Sequence, residues 1–363
     1  MTGIFVMSDL VHKKAQKKHV ILILTAVIVI MTVCSGLMSS CVKTPETEMY
    51  MIVPEPNSLM ESYIIKTKAG KLIVIDGGIA GHGYEASSYI QAALRAVAGK
   101  EEGEPLEIEA WFLSHAHNDH FNELGKLLRG FIKEDNVSIN NFYFDFPPFE
   151  TDEFPYTTSD DYDLKRLKKG FDHYAEVKGI DVPEGKSYYD VVNGAKVNAQ
   201  TIAAGQDIVI DELRFEMMQT WDITDKGDTN SSSLVFRMHA GDKTVLFLHD
   251  LSSNGSRRLL EKYGNDLKSD FVHMAHHGQG GGSEALYKAI DAKVHLWTTP
   301  IWVWNNTETY RIAEGRMWAN GGVDFTEADE NNYVACLYKA YPSDPLSIDA
   351  WKKVLPGMRV RLD

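Results

Sequence analysis

The sequence has few cysteines. Its 363 residues include three, and two of them, Cys34 and Cys41, lie near the N-terminus. The rest of the chain contains only Cys336, so it has no pair with which to form an internal disulfide. We therefore expect the fold to be stabilised by packing, for which an apolar fraction of 44% and seven tryptophans are sufficient.

Basic residues are also scarce. Thirty-seven Lys and Arg stand against 51 Asp and Glu, a formal net charge of −14. Residues 1–40 carry four lysines and one aspartate, so the remainder holds 33 basic and 50 acidic residues and a formal charge of −17. Because nucleic-acid binding depends on Lys and Arg contacts with phosphate, this balance excludes stable nucleic-acid binding as the expected function and favours a small or short substrate.

The first forty residues predict an export signal. Lysines at positions 13, 14, 17 and 18 precede an unbroken apolar stretch over 20–30. The segment Leu37-Met38-Ser39-Ser40-Cys41 resembles a lipoprotein lipobox with an atypical methionine. An uncleaved signal anchor is the alternative, because the apolar stretch approaches the roughly 20 residues that span a bilayer. Both interpretations predict a chain attached to a membrane on its extracytoplasmic face.

Beyond this segment the chain has no low-complexity stretch. We predict a linker over 41–56, one domain over 57–343 with an insertion at about 138–200, and a C-terminal tail over 344–363. Within the domain, short apolar runs typical of strands alternate with amphipathic helices. This alternation indicates a fold of mixed α and β structure.

Two buried strands are predicted to end at polar motifs. The run over 72–75 ends at Asp76-Gly77-Gly78, and the run over 108–113 ends at the segment SHAHNDH. The next segment, 119–132, predicts a helix with one apolar face. That face consists of Phe121, Leu124, Leu127, Leu128 and Phe131.

The strand that ends at Asp76 belongs to a faint internal repeat. Residues 62–71 read SYIIKTKAGK, and residues 233–242 read SLVFRMHAGD. Each segment predicts a hairpin about an Ala-Gly turn, which brings Asp76 or Asp250 to the end of its second strand. Chance similarity is the alternative, whereas a true duplication predicts two similar β-halves packed face to face.

Residues 114–120, SHAHNDH, place three histidines and one aspartate directly after a buried strand. In such a loop the spacing of His115, His117 and His120 lets several imidazoles and a carboxylate converge. These groups are ligands of zinc, iron and manganese, and an incomplete shell leaves room for water. A polar turn is the alternative, but it does not account for four such residues. We therefore predict one metal ion or two.

The order of these residues resembles the metallo-β-lactamase superfamily. His115-x-His117-x-Asp119-His120 is similar to its metal-binding signature, and Asp76-Gly77-Gly78 is similar to its first motif. Phe247-Leu248-His249-Asp250 resembles the strand end that carries its bridging aspartate, and Met274 to Gly278 resembles its last histidine motif. The resemblance covers about residues 57–340. It implies a four-layer αβ/βα sandwich, in which two mixed β-sheets lie face to face with helices outside.

Two segments are similar to a narrower group. Asn230-Ser-Ser-Ser-Leu-Val-Phe and His276-His277-Gly278 resemble the hydrolase domain of ComEC-type DNA-uptake proteins and their free-standing relatives.

The superfamily resemblance implies two divalent metal ions, zinc first, with manganese or iron as alternatives. Asp76 would orient the ligand loop from behind the ligands. His276 is preferred to His277 as a ligand because it lies nearer the strand end, and His277 would then face the substrate. The first metal would be bound by His115 and His117, the second by Asp119, His120 and His276, and Asp250 would bridge the two.

The sequence departs from the family pattern at two points. Many members have another histidine for the first metal where Asn230 to Ser233 stand here, so that site is expected to be weak or completed by Asn230, a serine or water. His239, just before a hairpin turn, is interpreted as structural. His249 replaces a glycine beside the bridging aspartate, where it would protonate a leaving group or only fill space.

The implied reaction is hydrolysis by water activated as hydroxide on the metals. Asp119 or His249 would relay protons, and Asn230 or His277 would stabilise the developing oxyanion. Backbone N–H groups of the loop 278–283 could bind a phosphate, which favours a phosphodiester substrate; a flexible connection is the alternative. Aromatic residues in 141–162 predict a lid or binding wall, or else packing of the insertion. They include Phe142, Phe144, Phe146, Phe149, Phe154 and Tyr156.

Three functions remain open from the sequence. The first is a metal-dependent hydrolase acting on a phosphodiester, and the second is a hydrolase of cyclic amides or esters. The third is a non-catalytic metal- or ligand-binding lipoprotein that has lost its first metal site. Fold alone does not choose among them.

Overall fold

Two β-sheets lie face to face in the computed structural model, which describes residues 45–79, 89–130, 136–148, 158–193 and 202–362. The first sheet contains β1 (Glu48–Met51), β2 (Ser62–Lys66), β3 (Leu72–Asp76), β4 (Leu106–Phe112), β5 (Val137–Tyr143) and β13 (Arg359–Val360). The second contains β6 (Asp207–Ile210), β7 (Leu213–Gln219), β8 (Val235–Ala240), β9 (Lys243–Phe247), β10 (Phe271–His273), β11 (Val294–Trp297) and β12 (Asn332–Val334). The strand orders are β13-β1-β2-β3-β4-β5 and β12-β11-β10-β9-β8-β7-β6.

Helices flank both sheets. Those associated with the first sheet are α1 (Tyr89–Ala98), α2 (Asn118–Gly130), α3 (Thr158–Lys178), α4 (Tyr188–Val192) and, near the C-terminus, α9 (Ile348–Met358). The second half of the chain supplies α5 (Ser253–Tyr263), α6 (Glu284–Ile290), α7 (Ile301–Trp304) and α8 (Ile312–Ala319). This arrangement is the predicted four-layer sandwich. Among the described helices, none is both long and apolar enough to cross a membrane.

The two sheets repeat one pattern of pairing. In the first, β1 to β3 pair antiparallel, and β3, β4 and β5 pair parallel through α1 and α2. In the second, β7 to β9 pair antiparallel, and β9, β10 and β11 pair parallel through α5 and α6. Both predicted Ala-Gly hairpins form, as β2–β3 and β8–β9. Identical connectivity in the two halves supports duplication over chance similarity.

Aromatic side chains hold the sheets together. Phe112 of β4 stacks on Phe215 of β7, with ring centroids 4.8 Å apart, and its ring lies 5.3 Å from that of Phe236. Tyr63 of β2 meets Phe247 of β9 edge to face at 5.2 Å. All five side chains are buried, so the core lies between the sheets and fixes the strand ends of one sheet relative to those of the other.

The folded region extends beyond the predicted domain at both ends. β1 lies in the segment predicted as a linker, and β13 lies in the predicted C-terminal tail, where it pairs with β1. Trp351 of α9 is fully buried against the first sheet's helices. The predicted insertion also begins too early, because β5 is an edge strand of the first sheet. Short strands with few apolar positions are hard to predict from sequence, because their pairing partners lie far along the chain.

The aromatic stretch belongs to the core. Phe142, Phe144 and Phe146 are buried, and Phe142 and Phe144 pack against Phe171 of α3 with ring centroids 4.8 and 5.5 Å away. These rings attach α3 and α4 to the first sheet and do not form a binding wall. Phe149, Phe154 and Tyr156 lie outside the described residues, as does the predicted export signal over 1–40.

Candidate metal centre

The candidate metal centre lies where four strands end. β3 ends at Asp76, β4 leads into the ligand loop 114–120, β9 leads to Asp250, and β10 leads to His276. Because the carboxyl ends of parallel strands lie at one edge of a sheet, and the two sheets face each other, these segments converge. Residues up to 200 positions apart in the chain thus form one site.

Asp250 is shared by two groups of possible metal ligands. The first group consists of His115, His117 and Asp250, and the second of Asp119, His120, Asp250 and His277. Within each group the ligand atoms lie within 4.8 Å of one another. The second group is buried, whereas His117 is half-buried, so solvent reaches the centre from the side of the first group.

The donor atoms of the second group are oriented as a metal ion requires. His120 Nδ1 donates to Asp76 Oδ2 at 2.8 Å, and His277 Nδ1 donates to the Thr298 carbonyl at 3.0 Å, which turns both Nε2 atoms toward Asp250. His120 Nε2 and Asp250 Oδ1 are buried 3.3 Å apart, and neither has a hydrogen-bond partner among the described residues. Metal ligation would satisfy both atoms. These residues therefore fit a divalent cation.

Protons replace the metal charge in the metal-free protein. Burial alone would lower the pKa of His277, but Asp250 and Asp119 raise it to about 9. Burial also opposes charge on His120, yet Asp250, Asp76 and Asp119 raise its pKa well above the usual value. Burial, with His120 and His117 nearby, lowers the pKa of His115 well below its usual value. Metal binding must therefore displace protons from the second group, so affinity should rise with pH.

Asp76 holds the ligand loop from behind. The backbone N–H of Ser114 donates to Asp76 Oδ1 at 2.8 Å, and the Ser114 hydroxyl donates to Oδ2 at 2.7 Å. Together with the bond from His120, these contacts fix the loop at its start and at its last ligand. The backbone of Asp76 is left-handed, with φ of 55°. The structure thus places Asp76 where it orients a ligand without occupying the ligand position.

Sequence reasoning missed a buried network behind the centre. His249 Nδ1 donates to Glu61 Oε1 at 2.5 Å, and His273 Nε2 lies 3.0 Å from Glu61 Oε2. All three side chains are fully buried. Glu61 and His249, with Asp76, form a third cluster of possible metal ligands, but their atoms already bond to one another. The only sequence feature that could have indicated this network is Glu61, which directly precedes the apolar strand β2.

We expect metal-free folding stability to fall by about 5 kcal/mol between pH 7 and pH 9.5, shared about equally by two histidines. Although burial opposes it, Glu61 raises the pKa of His249 to about 9, and His277 reaches the same value. A folded pKa above the unfolded value contributes stability fully below pH 6.5 and loses it as pH rises through about 9. Urea unfolding of the chelated chain at both pH values measures this, and equal stability would contradict it. Saturating zinc should abolish the contribution of His277, which would be a ligand, and leave that of His249.

The structure corrects three predicted roles. His277, not His276, lies with Asp119 in the second group, at 3.2 Å between Nε2 and Oδ2, because both residues have left-handed backbones that turn successive side chains to different sides. His277 therefore has a ligand position and does not face the substrate. His249 is buried against Glu61, so it has no access to a leaving group.

The glycines of the loop 278–283 serve close packing. A Cβ on Gly281 would lie 2.7 Å from both the His276 Cβ and the Leu251 carbonyl oxygen, closer than real Cβ contacts. A Cβ on Gly278 would lie 2.4 Å from Ile312. This packing explains the glycine run without a phosphate, so the loop no longer supports the phosphodiester prediction.

Gly281→Ala is expected to cost about 1–3 kcal/mol of stability and to displace His276. The Leu251 carbonyl is backbone and cannot move aside, so the strain falls on the imidazole. Gly357→Ala in α9 is the matched control, because its Cβ would meet nothing within 4 Å. Chemical unfolding of both variants gives the test, and equal stability of the two would contradict the packing role.

Asn230 and His239 occupy different surroundings. Asn230 Nδ2 lies 3.4 Å from His276 Nε2 at the open side of the centre, and Asn230 is half-buried. His239 lies on β8, where its Nε2 is 3.0 Å from Glu216 and 2.8 Å from Arg214. His239 is therefore a partner of a charged cluster on the sheet, in keeping with the structural interpretation.

Comparisons with known proteins agree with this site. The family profile described as the metallo-beta-lactamase superfamily matches residues 61–295, which include both ligand groups. None of the curated proteins compared with the chain matches it.

Similar solved structures include the metallo-beta-lactamase fold protein YhfI from Bacillus subtilis. It is 12% identical with a TM-score of 0.40, and the alignment covers 76% of this chain and 93% of YhfI. Another is CmlA, a diiron beta-hydroxylase from Streptomyces venezuelae, 13% identical with a TM-score of 0.37. That alignment covers 70% of this chain and 45% of CmlA, so the chain spans less than half the length of that protein. With a family match over more than half of its length, the chain belongs to the metallo-beta-lactamase superfamily and is an enzyme of the metallo-hydrolase type.

Proposed function

We propose that this chain hydrolyses a small or short phosphodiester outside the cytoplasm, with two divalent ions, zinc first, bound at Asp250. The ions would be held by the first and second groups. When bound, they would lower the pKa of a water molecule, polarise an oxygen of the scissile group and offset negative charge in the transition state.

The charge of the ligand set is the observation that carries the proposal. Among the ligands, only Asp119 and Asp250 are carboxylates, and the others are imidazoles. Two divalent ions in this set would leave an excess of about two positive charges at the open side. Glu61 lies behind the centre and is already paired with His249. An anionic substrate therefore gains attraction at the site, against the negative charge of the chain as a whole.

The chain's own residues would orient the reaction. Asp119 bonds to His277, so it can fix the orientation of that imidazole ring. The Asp119 side chain is about one-tenth exposed, so it can also accept a proton from the side of the opening. Asn230 lies at the same opening, where its amide N–H groups can donate to an oxyanion. His117 and His276 border the opening and are partly exposed, so a substrate would contact them first.

Three sequence features support the finer parts of the proposal. The segments at Asn230 and His276 resemble ComEC-type hydrolase domains, which favours a phosphodiester over a lactam. The basic and apolar segment over 13–30 and the lipobox-like Cys41 favour export and membrane attachment. Few basic residues and a formal charge of −17 after residue 40 favour a short substrate over duplex DNA.

The test compares four substrates with the purified, zinc-loaded full chain: bis(p-nitrophenyl) phosphate, p-nitrophenyl phosphate, nitrocefin and a simple lactone. We expect the highest kcat/KM on the diester and its loss in Asp119→Ala. Lys288→Ala is the control, because Lys288 is exposed on α6 and pairs only with Glu284 among the contacts described. Faster turnover of nitrocefin or the lactone would replace the proposal with a cyclic amide or ester hydrolase. No turnover of any of the four would contradict it.

A further inference from the structure

The first group has one ligand fewer than the second. It consists of two histidines and Asp250, and the segment Asn230 to Ser233, where the superfamily resemblance places a third histidine, supplies none. Two of its serines are already hydrogen-bonded elsewhere: Ser231 Oγ donates to Asp228 Oδ2 at 2.7 Å, and Ser232 Oγ donates to the Thr229 carbonyl at 2.6 Å. A third imidazole for the first site must therefore come from another element.

We propose that His276 is the third imidazole of the first metal site. This inference rests on the binuclear centre proposed above. The two neighbouring histidines of the His276-His277 pair would then serve different metals, the first binding at the open site and the second at the buried site.

The two oxygens of Asp250 carry this assignment. Oδ1 faces the second group, at 3.3 Å from His120 Nε2 and 3.6 Å from His277 Nε2. Oδ2 faces the other way, at 3.9 Å from His115 Nε2 and 3.9 Å from His276 Nε2. Atoms bound to one zinc ion lie no more than about 4.2 Å apart, given metal–ligand distances of about 2.1 Å. His276 Nε2 thus lies as close to Oδ2 as His115 Nε2 does, although the three ligand atoms within 4.8 Å of one another at this site are those of His115, His117 and Asp250.

The backbone is built to separate the two rings. His276 and His277 both have left-handed backbones, with φ of 54° and 50°, and Gly278 continues with 81°. Consecutive non-glycine residues in this region are strained, so the surrounding structure must hold them there. The His276 N–H donates to the His249 carbonyl at 2.8 Å, and Gly281 leaves room directly behind its Cβ. The ring centroids lie 6.4 Å apart, which suits ligands of two adjacent metals.

Asn230 marks the position of the replaced ligand. Its Nδ2 lies 3.4 Å from His276 Nε2, and its buried Oδ1 has no hydrogen-bond partner among the described residues. His276, after the end of β10, thus reaches the place to which the segment 230–233 leads before the start of β8, at the same edge of the second sheet. Since the His276 side chain is 32% exposed, the first site would be the accessible one of the two.

Cobalt titration of the chelated full chain tests the assignment without any substrate. The wild-type chain is expected to bind two Co²⁺ ions. Binding is measured from the visible absorption bands of the bound ion and by calorimetry. His276→Ala should retain one tight site and lose metal affinity at the other by about 100-fold or more. Even mutation of residues that only orient the ligands typically lowers metal affinity 10- to 100-fold. His276→Gln, which preserves volume, should behave alike. His239→Ala is the control, because His239 lies in the cluster on β8.

A double variant identifies the site that is lost. Asp119→Ala should keep one Co²⁺, and Asp119→Ala with His276→Ala should bind none tightly. If both His276 variants bind two Co²⁺ with wild-type constants, His276 is not a ligand and the inference is overturned. The same holds if the double variant keeps the ion of Asp119→Ala. Because these readouts are stoichiometry and affinity, they stand whether or not a phosphodiester is the substrate.

Discussion

Asp250→Asn should remove both metal ions and lower hydrolytic kcat/KM by about 10⁴-fold, equivalent to about 5.5 kcal/mol of transition-state stabilisation. Asp250 is the residue shared by both ligand groups, and it presents a different oxygen to each. The amide keeps the volume of the side chain but loses the charge that opposes two cations. Removal of any other ligand should affect mainly one ion, so this substitution is expected to have the largest effect on activity.

The metal content of dialysed Asp250→Asn, measured by elemental mass spectrometry, gives the first readout. Asp242→Asn is the matched control, because Asp242 lies at the turn of the same β8–β9 hairpin and its side chain is 91% exposed. The control should bind two ions and retain activity. Two ions in Asp250→Asn would contradict a bridging role, and full activity with fewer ions would contradict the binuclear reaction.

The sequence predicts the parts of this site that are local. His115, His117, Asp119 and His120 stand within six positions, and the strand before them makes their convergence predictable. The start of α2 also agrees, because its apolar spacing is regular over three turns. Asp76 and Asp250 were found because each follows a hairpin strand, a pattern that pairing in the structure repeats.

The incorrect predictions depended on distant contacts. Whether His276 or His277 joins Asp119 is decided by backbone dihedrals of about 50°, which sequence patterns do not reveal for residues other than glycine. The glycine run suggested phosphate binding, but its small residues are required by packing against His276 and Leu251. Likewise, β13 contributes to the fold only through its pairing with β1, about 310 residues earlier in the chain.

Glu61→Ala should destabilise the metal-free chain by about 3–5 kcal/mol, as expected when one partner of a buried ion pair is removed. Glu61 is fully buried between His249 and His273. Burial opposes its ionisation, but these two histidines hold its pKa well below the usual value, so alanine would leave His249 without the counter-charge of Glu61. Urea unfolding at pH 7 measures the loss. Glu61→Gln keeps the shape and should lose less, and equal losses for the two variants would contradict a charge effect.

The strain at His249 provides a second, independent test of this network. With φ of 51°, His249 occupies the left-handed backbone region. Glycine adopts this conformation without strain, whereas other residues pay a conformational free energy of about 1–2 kcal/mol. His249→Gly and His249→Ala both remove the bond to Glu61, but only glycine also relieves the backbone, so it should be less destabilising than alanine by about 1 kcal/mol. Combined with Glu61→Ala, His249→Ala should cost less than the sum of the single losses, with a coupling of about 0.5–3 kcal/mol. Strict additivity would mean that Glu61 and His249 stabilise the fold separately, and that the carboxylate behind the metal centre is held by His273 alone.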